Sequence, residues 1–197
     1  MRKLIVNEFL SLDGVAQAPG GADEDTSGGF AHGGWHMQYI GDEATQKWVL
    51  RGIFDASGFV LGRRTYEIFA AYWPNASGEE QVIAEPLNTK PKYVASTTLG
   101  EPLEWENSTL LQGDVAEAVA ALKQADGGEL HTIGSTDFVQ TLIEHDLVDE
   151  LRLMIDPVVL GGGKRIFRDD RSRRPLRLVD AQIASTGAIL TTYAPAA

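Results

Sequence analysis

Two hydrophobic rhythms run along the chain. Leu4 to Leu10 is a short, largely apolar run that reads as a strand, as do Phe59-Val60-Leu61, Tyr93-Val94-Ala95, Thr109-Leu110-Leu111 and Leu130 to Ile133. Between them apolar residues recur at helical spacing. Val49, Gly52, Ile53 and Ala56 predict a helix over 43–56. A further helix is expected from Arg64 to Tyr72, stopped before Pro74. Asp114 caps one whose apolar face is Val115, Ala118, Val119 and Leu122, and Gly127-Gly128 end it. Val139, Leu142 and Ile143 mark a last one over 137–145.

The final third changes rhythm. Glu150 to Leu160, Leu176 to Ser185 and Ala188 to Tyr193 all read as strands, with Pro157 marking a break or edge and Ser185-Thr186-Gly187 a hairpin turn. The tail after Tyr193 is expected to fray. Strand–helix units followed by successive strands predict an α/β fold: a mixed central sheet flanked by helices, parallel at first, with antiparallel C-terminal strands. The 197 residues fit one domain over 1–197. One segment breaks the scheme. Ser11 to about Gly41 is polar, rich in glycine and too long for a plain connection, which marks it as functional or mobile.

Composition narrows the chemistry. Lysine and arginine number 17 against 28 aspartates and glutamates, a net charge of −11, which argues against a nucleic-acid or anionic-membrane partner. There are no cysteines, which removes disulfides, thiolate zinc sites and thiol nucleophiles. The N-terminal apolar run is too short for a signal peptide, and none reaches the length of a membrane span, so a cytoplasmic location is expected.

Open α/β sheets bind ligands outside the carboxyl ends of their strands, where helix N-termini present free N–H groups that suit phosphates. Leu61-Gly62-Arg63-Arg64-Thr65 is such a junction: a strand ends in glycine, and two arginines and a threonine open a helix. It reads equally as a phosphate seat and as a tight turn with solvated arginines. Ile133-Gly134-Ser135-Thr136 repeats the pattern, although Ser135 or Thr136 would also serve as an ordinary N-cap. Ser96-Thr97-Thr98 follows a third strand. Three such places in one domain favour a long phosphorylated ligand.

Ser11-Leu12-Asp13-Gly14 opens the long loop and reads first as a turn. His32 and His36 bracket two glycines and Trp35. With Asp42 they form the weakest reading, a metal hydrolase, and no metal is expected. Trp35 reads as a pocket wall or, as large aromatics more often are, as core, and Gly161-Gly162-Gly163 equally as a place where backbone can approach a ligand and as a plain flexible turn. Arg168, Arg171, Arg173 and Arg174 read as solvated surface.

These segments resemble a known family. Val6 to Val15, Phe59 to Glu67, Lys92 to Thr98, and Glu144 to Leu153 running into Pro157 to Gly163 are similar to dihydrofolate-reductase-like proteins related to the C-terminal reductase domain of the bifunctional riboflavin-biosynthesis deaminase–reductase. The similarity runs over nearly the whole chain. It implies the dihydrofolate-reductase-like three-layer fold, NADPH as hydride donor, a small-molecule substrate and assembly as a homodimer. Carried over, Gly62, Arg63, Arg64 and Thr65 lie along the cofactor phosphates and Ser96 and Thr97 near the adenosine 2′-phosphate. Gly134, Ser135 and Thr136 seat the pyrophosphate or flank the nicotinamide. Asp13, Asp42 and Glu43 are the candidate proton-relaying acids, and Trp35 and Gly162 the candidate substrate contacts. One departure bears on substrate. Folate enzymes keep an acid on the helix before the first junction, and the equivalent position here falls near Gln46, which argues against folate. A substrate like that of 5-amino-6-(5-phosphoribosylamino)uracil reductase, or another heterocycle, fits the resemblance. The rival from another class is a non-catalytic nucleotide- or small-molecule-binding dimer of the same fold.

Overall fold

A computed structural model describes residues 1–196. It has one eight-stranded sheet: β1 (Leu4–Ser11), β2 (Gly58–Gly62), β3 (Lys92–Ala95), β4 (Ser108–Leu110), β5 (Leu130–Ile133), β6 (Glu150–Asp156), β7 (Leu176–Ile183) and β8 (Ile189–Pro195). Their order in space is β4-β3-β2-β5-β1-β6-β8-β7. The first six are parallel, while β8 runs antiparallel to β6 and β7 antiparallel to β8. The expected mixed sheet with antiparallel C-terminal strands is therefore present. β6 stops before Pro157, as a residue without an N–H should impose. β8 continues to Pro195, and Ala196 still bonds to the carbonyl of Pro175, so the tail is ordered further than expected.

Five helices complete the layers: α1 (Glu43–Phe54), α2 (Arg63–Tyr72), α3 (Gln81–Thr89), α4 (Val115–Gln124) and α5 (Thr136–Glu144). Alternate residues of β2 show why there are three layers. Val60 packs with Leu4, Val6 and Leu130 under Val119 of α4 and Phe138, Val139 and Leu142 of α5. Phe59 and Leu61 point the other way, against Ile53 of α1, Tyr66 of α2 and Leu87 of α3. Each such side chain contributes about 1.5–3 kcal/mol on burial. The C-terminal hairpin closes over α1 in a third cluster of Trp48, Met154, Ala184, Ala188 and Leu190. No helix among the described residues is long and apolar enough to cross a membrane.

The sequence pattern misses α3. Pro86 sits inside it and is buried beside Ala84 and Leu87, so tertiary packing outweighs the lost backbone bond. On α1 the buried face is Thr45, Trp48, Gly52 and Ile53, so Gly52 and Ile53 of the predicted stripe are buried while Trp48 takes the place expected of Val49.

The order of strands fixes where a ligand can sit. From β2 the chain passes through α2 to β3 on one side. From β5 it passes through α5 to β6 on the other. The neighbours β2 and β5 thus form the switch point at which open α/β sheets carry their crevice.

Candidate functional site

Both predicted glycine junctions lie at this switch point, on adjacent strand ends. Gly62 and Gly134 have their conformations for different reasons. A side chain on Gly62 would meet the Cβ of Phe138 at 3.1 Å and that of Ser135 at 3.3 Å, so it would have to push both neighbours back by a few tenths of an ångström. Gly134 has φ +62, in the left-handed region that suits glycine, and a Cβ there would lie 3.4 Å from the Thr65 hydroxyl. Ser135 also adopts a left-handed backbone, with φ 67 and ψ 44. That conformation costs roughly 1–3 kcal/mol for a residue with a side chain, and such strain clusters at functional sites. Ser135 occupies the N-cap position of α5 but makes no side-chain cap. Its hydroxyl instead accepts the backbone N–H of Gly62 at 3.0 Å.

The result is two helix N-termini side by side, on opposite faces of the sheet, with the first N–H groups of α2 and α5 at one crevice. The third predicted place adjoins them. Gly62 pairs in register with Ala95, so Ser96 follows directly beside Arg63. The Ser96 hydroxyl accepts the N–H groups of Thr98 and Leu99 and holds that turn, and Thr97 is exposed. Gly62, Thr65, Ser96, Gly134, Ser135 and Thr136 are therefore brought together by strand order alone.

The two arginines separate in role. Arg63 lies along its own helix, with two bonds to Glu67 at 3.0 and 2.9 Å. Arg64 reaches out to the long loop, donating to Ser27 at 3.1 Å and pairing with Asp25 at 3.4 Å. Asp25 also binds Lys164 of the segment after β6. Burial pushes the Asp25 carboxyl up, but Lys164 and Ser27 outweigh it and hold the group at about 2. Gln17, buried, donates to the carbonyls of Asp25 and Ser27. The glycine-rich loop is thus a folded cover, latched through one carboxylate to both sides of the crevice. Beneath and beside it is a cavity of about 550 Å³ with Gln17, Phe30, His32, Leu160, Gly162 and Lys164 in its wall.

The candidate acids do not converge. Asp13 accepts the Ser11 hydroxyl at 2.7 Å and the N–H groups of Leu160 and Gly161 at 3.1 and 2.9 Å. The Ser11 hydroxyl, helped by those two N–H groups, holds its carboxyl at about 2. It ties the start of the loop to the glycine turn that carries Gly162. Asp42 is the N-cap of α1, in a reciprocal capping box with Thr45, and it also accepts the N–H and hydroxyl of Ser185. The Thr45 N–H, together with Ser185, keeps it well below the usual carboxylate range. Glu43 is exposed on the first turn of α1. Trp35 is buried, with its indole N–H on the carbonyl of Gln17 at 2.8 Å, and it anchors the loop from within.

The histidines of the metal reading go separate ways. His36 turns inward to Asp156 at 2.6 Å and stacks on Phe9, with ring centroids 3.8 Å apart. His32 is exposed at the cavity, and Asp42 is engaged at α1. No group of three or more metal-ligating side chains occurs among the described residues.

Several polar groups here carry no simple sequence signal. The His36–Asp156 pair joins residues 120 positions apart. Glu8 did carry one: it is the single charged residue of β1. It is 3% exposed, and burial raises its carboxyl well above the usual range.

Fold and crevice together define a dihydrofolate-reductase-like α/β protein with its crevice at the β2/β5 switch point. The chain belongs to the RibD C-terminal domain family, whose model matches residues 2–190, a reductase family of the kind the sequence resembles. It is 33% identical over 137 residues to the uncharacterized protein YyaP of Bacillus subtilis, covering 68% of this chain and 71% of that one. Its fold is shared with a pyrimidine reductase-like protein from Corynebacterium diphtheriae, with a TM-score of 0.66, 14% identity, and coverage of 100% of this chain and 92% of that one. It is also shared with dihydrofolate reductase from Enterococcus faecalis complexed with NADP(H), with a TM-score of 0.60, 14% identity, and coverage of 99% and 97%.

Proposed function

We propose that this chain is an NADPH-dependent reductase that delivers a hydride to a small heterocycle. The observation that supports this most is the pairing of the α2 and α5 N-termini across the β2/β5 switch point. Two adjacent sets of free N–H groups suit a pyrophosphate. Arg64 is the cation within reach, and Ser96 with Thr97 lies on the side where a 2′-phosphate would distinguish NADPH from NADH. NADPH, when bound, supplies the hydride. The protein binds, orients and excludes water. Asp25, which holds Arg64 in this structure, would have to yield it to an arriving phosphate.

The substrate we favour is a pyrimidine such as the 5-amino-6-(5-phosphoribosylamino)uracil of riboflavin synthesis. The family match and the fold shared with a pyrimidine reductase-like protein support it. Folate is disfavoured because Gln46, exposed on α1, stands where a pterin-binding acid would be needed. A second reading, a non-catalytic NADP(H)-binding dimer, draws on the state of Asp13 and Asp42. Both are held as carboxylates by structural hydrogen bonds, which suits anchors better than proton donors. Oxidation of NADPH in the presence of pyrimidine and pterin substrates separates the two readings. Turnover on a pyrimidine supports the reductase, and tight binding without turnover on any substrate supports the alternative.

Self-association is part of the proposal. β7 is an exposed edge strand carrying Leu178 at 55% and Ile183 at 76% exposure, with Val179 beside them. An apolar edge of this kind invites pairing with a second copy. Sedimentation of the wild type against an Ile183→Lys variant tests it: a dimer becoming a monomer is expected, and a monomeric wild type would overturn it.

A further inference from the structure

Glu8 is a buried acid that nothing above uses. It lies on β1 one residue past the last pair with β5, which joins Asn7 to Ile133. Its neighbour across the strand gap is therefore Gly134, about 4.8 Å away by ordinary strand spacing. On the other side it pairs with Leu153 of β6. Its face of the sheet is that of Val6, Leu10 and Leu153, packed under α5. Ala16 of the long loop packs in the same cluster, and Glu24 of that loop adds to the effect of burial in raising the Glu8 carboxyl.

One of its oxygens, Oε1, is buried without a hydrogen-bond partner. An unpaired buried polar atom costs stability, and an apolar residue would fill this position more cheaply. Such an atom beside a strained switch-point residue points to a ligand group.

We propose that the Glu8 carboxyl binds the carboxamide edge of a nicotinamide ring. This rests on the cofactor reading and adds to it the group that recognises the reactive end. With a pyrophosphate on the α2 and α5 N-termini, one arm of a dinucleotide would reach toward β3 and the Ser96 turn, and the other toward β1, where a reactive ring would be shielded from water. Glu8 is the polar side chain that β1 offers on that side. Burial in apolar surroundings, and then the Glu24 charge, raise its carboxyl well above the usual range and so favour the acid form. A carboxylic acid presents one donor and one acceptor side by side, the complement of a primary carboxamide. In an apolar setting such a pair is strong.

The test is titration calorimetry of the full chain with three nucleotides: NADPH, its 3-acetylpyridine analogue, and 2′-phospho-ADP-ribose, which lacks the ring. Wild type is expected to prefer NADPH over the acetyl analogue. Glu8→Leu should weaken NADPH by about tenfold or more, a loss of ~1.4 kcal/mol. It should leave 2′-phospho-ADP-ribose unchanged and no longer distinguish NADPH from the analogue. Glu8→Gln keeps a donor and an acceptor and should stay near wild type. The proposal is overturned if Glu8→Leu binds NADPH as wild type does, if it loses both natural nucleotides equally, or if wild type does not distinguish the analogue. Wild type binding neither NADPH nor 2′-phospho-ADP-ribose would instead overturn the cofactor reading itself.

Discussion

The hydroxyl of Ser135 accepts the backbone N–H of Gly62 at 3.0 Å, joining the two strand ends that frame the crevice. Removing that hydroxyl leaves a buried N–H unpaired, at about 1–3 kcal/mol. Gly62→Ala acts on the same contact from the other side, because its methyl would press on Phe138 and Ser135. Overpacking of this kind costs about 1–3 kcal/mol. Both variants should lower stability in urea titrations and weaken NADPH together. A Gly62→Ala protein with wild-type stability and affinity would show that the two ends need not meet.

On the proposed cofactor reading, Asp25 and a phosphate would compete for Arg64. Asp25→Asn frees the guanidinium and Lys164 together, so NADPH should bind more tightly, by several-fold at low salt, with the gain shrinking as salt screens it. Arg64→Ala should weaken NADPH by about tenfold, the effect of one charge-assisted contact of ~1.5 kcal/mol. Calorimetry over a salt series reads both. Unchanged affinity in Arg64→Ala would remove this residue from the site.

Asp13 links stability to acid. Its folded carboxyl is held at about 2 against an ordinary 3.8, so its contribution is complete above the higher value. It is lost as pH falls from there through about 2. Asp13→Asn should therefore flatten the fall in unfolding free energy across that window and loosen the turn around Gly162. Hydrogen exchange at Leu160 and Gly161 should speed up, since both N–H groups lose their acceptor. Unaltered exchange there would contradict the anchoring role.

His36 and Asp156 are both buried, and burial raises the Asp156 carboxyl while His36 opposes it. His36→Phe keeps the stack on Phe9 but strips the acid of its partner. The cost should be about 3 kcal/mol or more. A group whose folded pKa is raised keeps its contribution below its ordinary 3.8 and loses stability as pH rises above it, so the defect should be larger at neutral pH than near pH 3.8. Urea unfolding at the two conditions measures it, and a cost independent of pH would contradict the assignment.

The scaffold was legible because its cues are local. Glycine ends β2 and follows β5, and Asp114 caps α4 through the Glu117 N–H. α3 was hidden by Pro86, which reads as a breaker until Leu87 and Ala84 are seen to bury it. The site was legible as an address and less so as chemistry. Arg63 and Arg64 look alike in sequence, and only the path of the long loop gives Arg64 the crevice. Asp13 and Asp42 read as candidate acids, but their partners Gly161 and Ser185 lie far along the chain and hold them as anchors. Glu8 was overlooked because a polar residue in a strand suggests a solvent face, whereas β1 is covered on both faces.

The central claim is that the paired junctions hold NADPH. Calorimetric titration of the wild-type chain with NADPH and NADH tests it most directly. One NADPH per chain, bound at least tenfold more tightly than NADH, is the predicted result, the preference being the worth of a 2′-phosphate contact of ~1.4 kcal/mol. Heat-silent titrations with both nucleotides, and no displacement of either by the other, would contradict it.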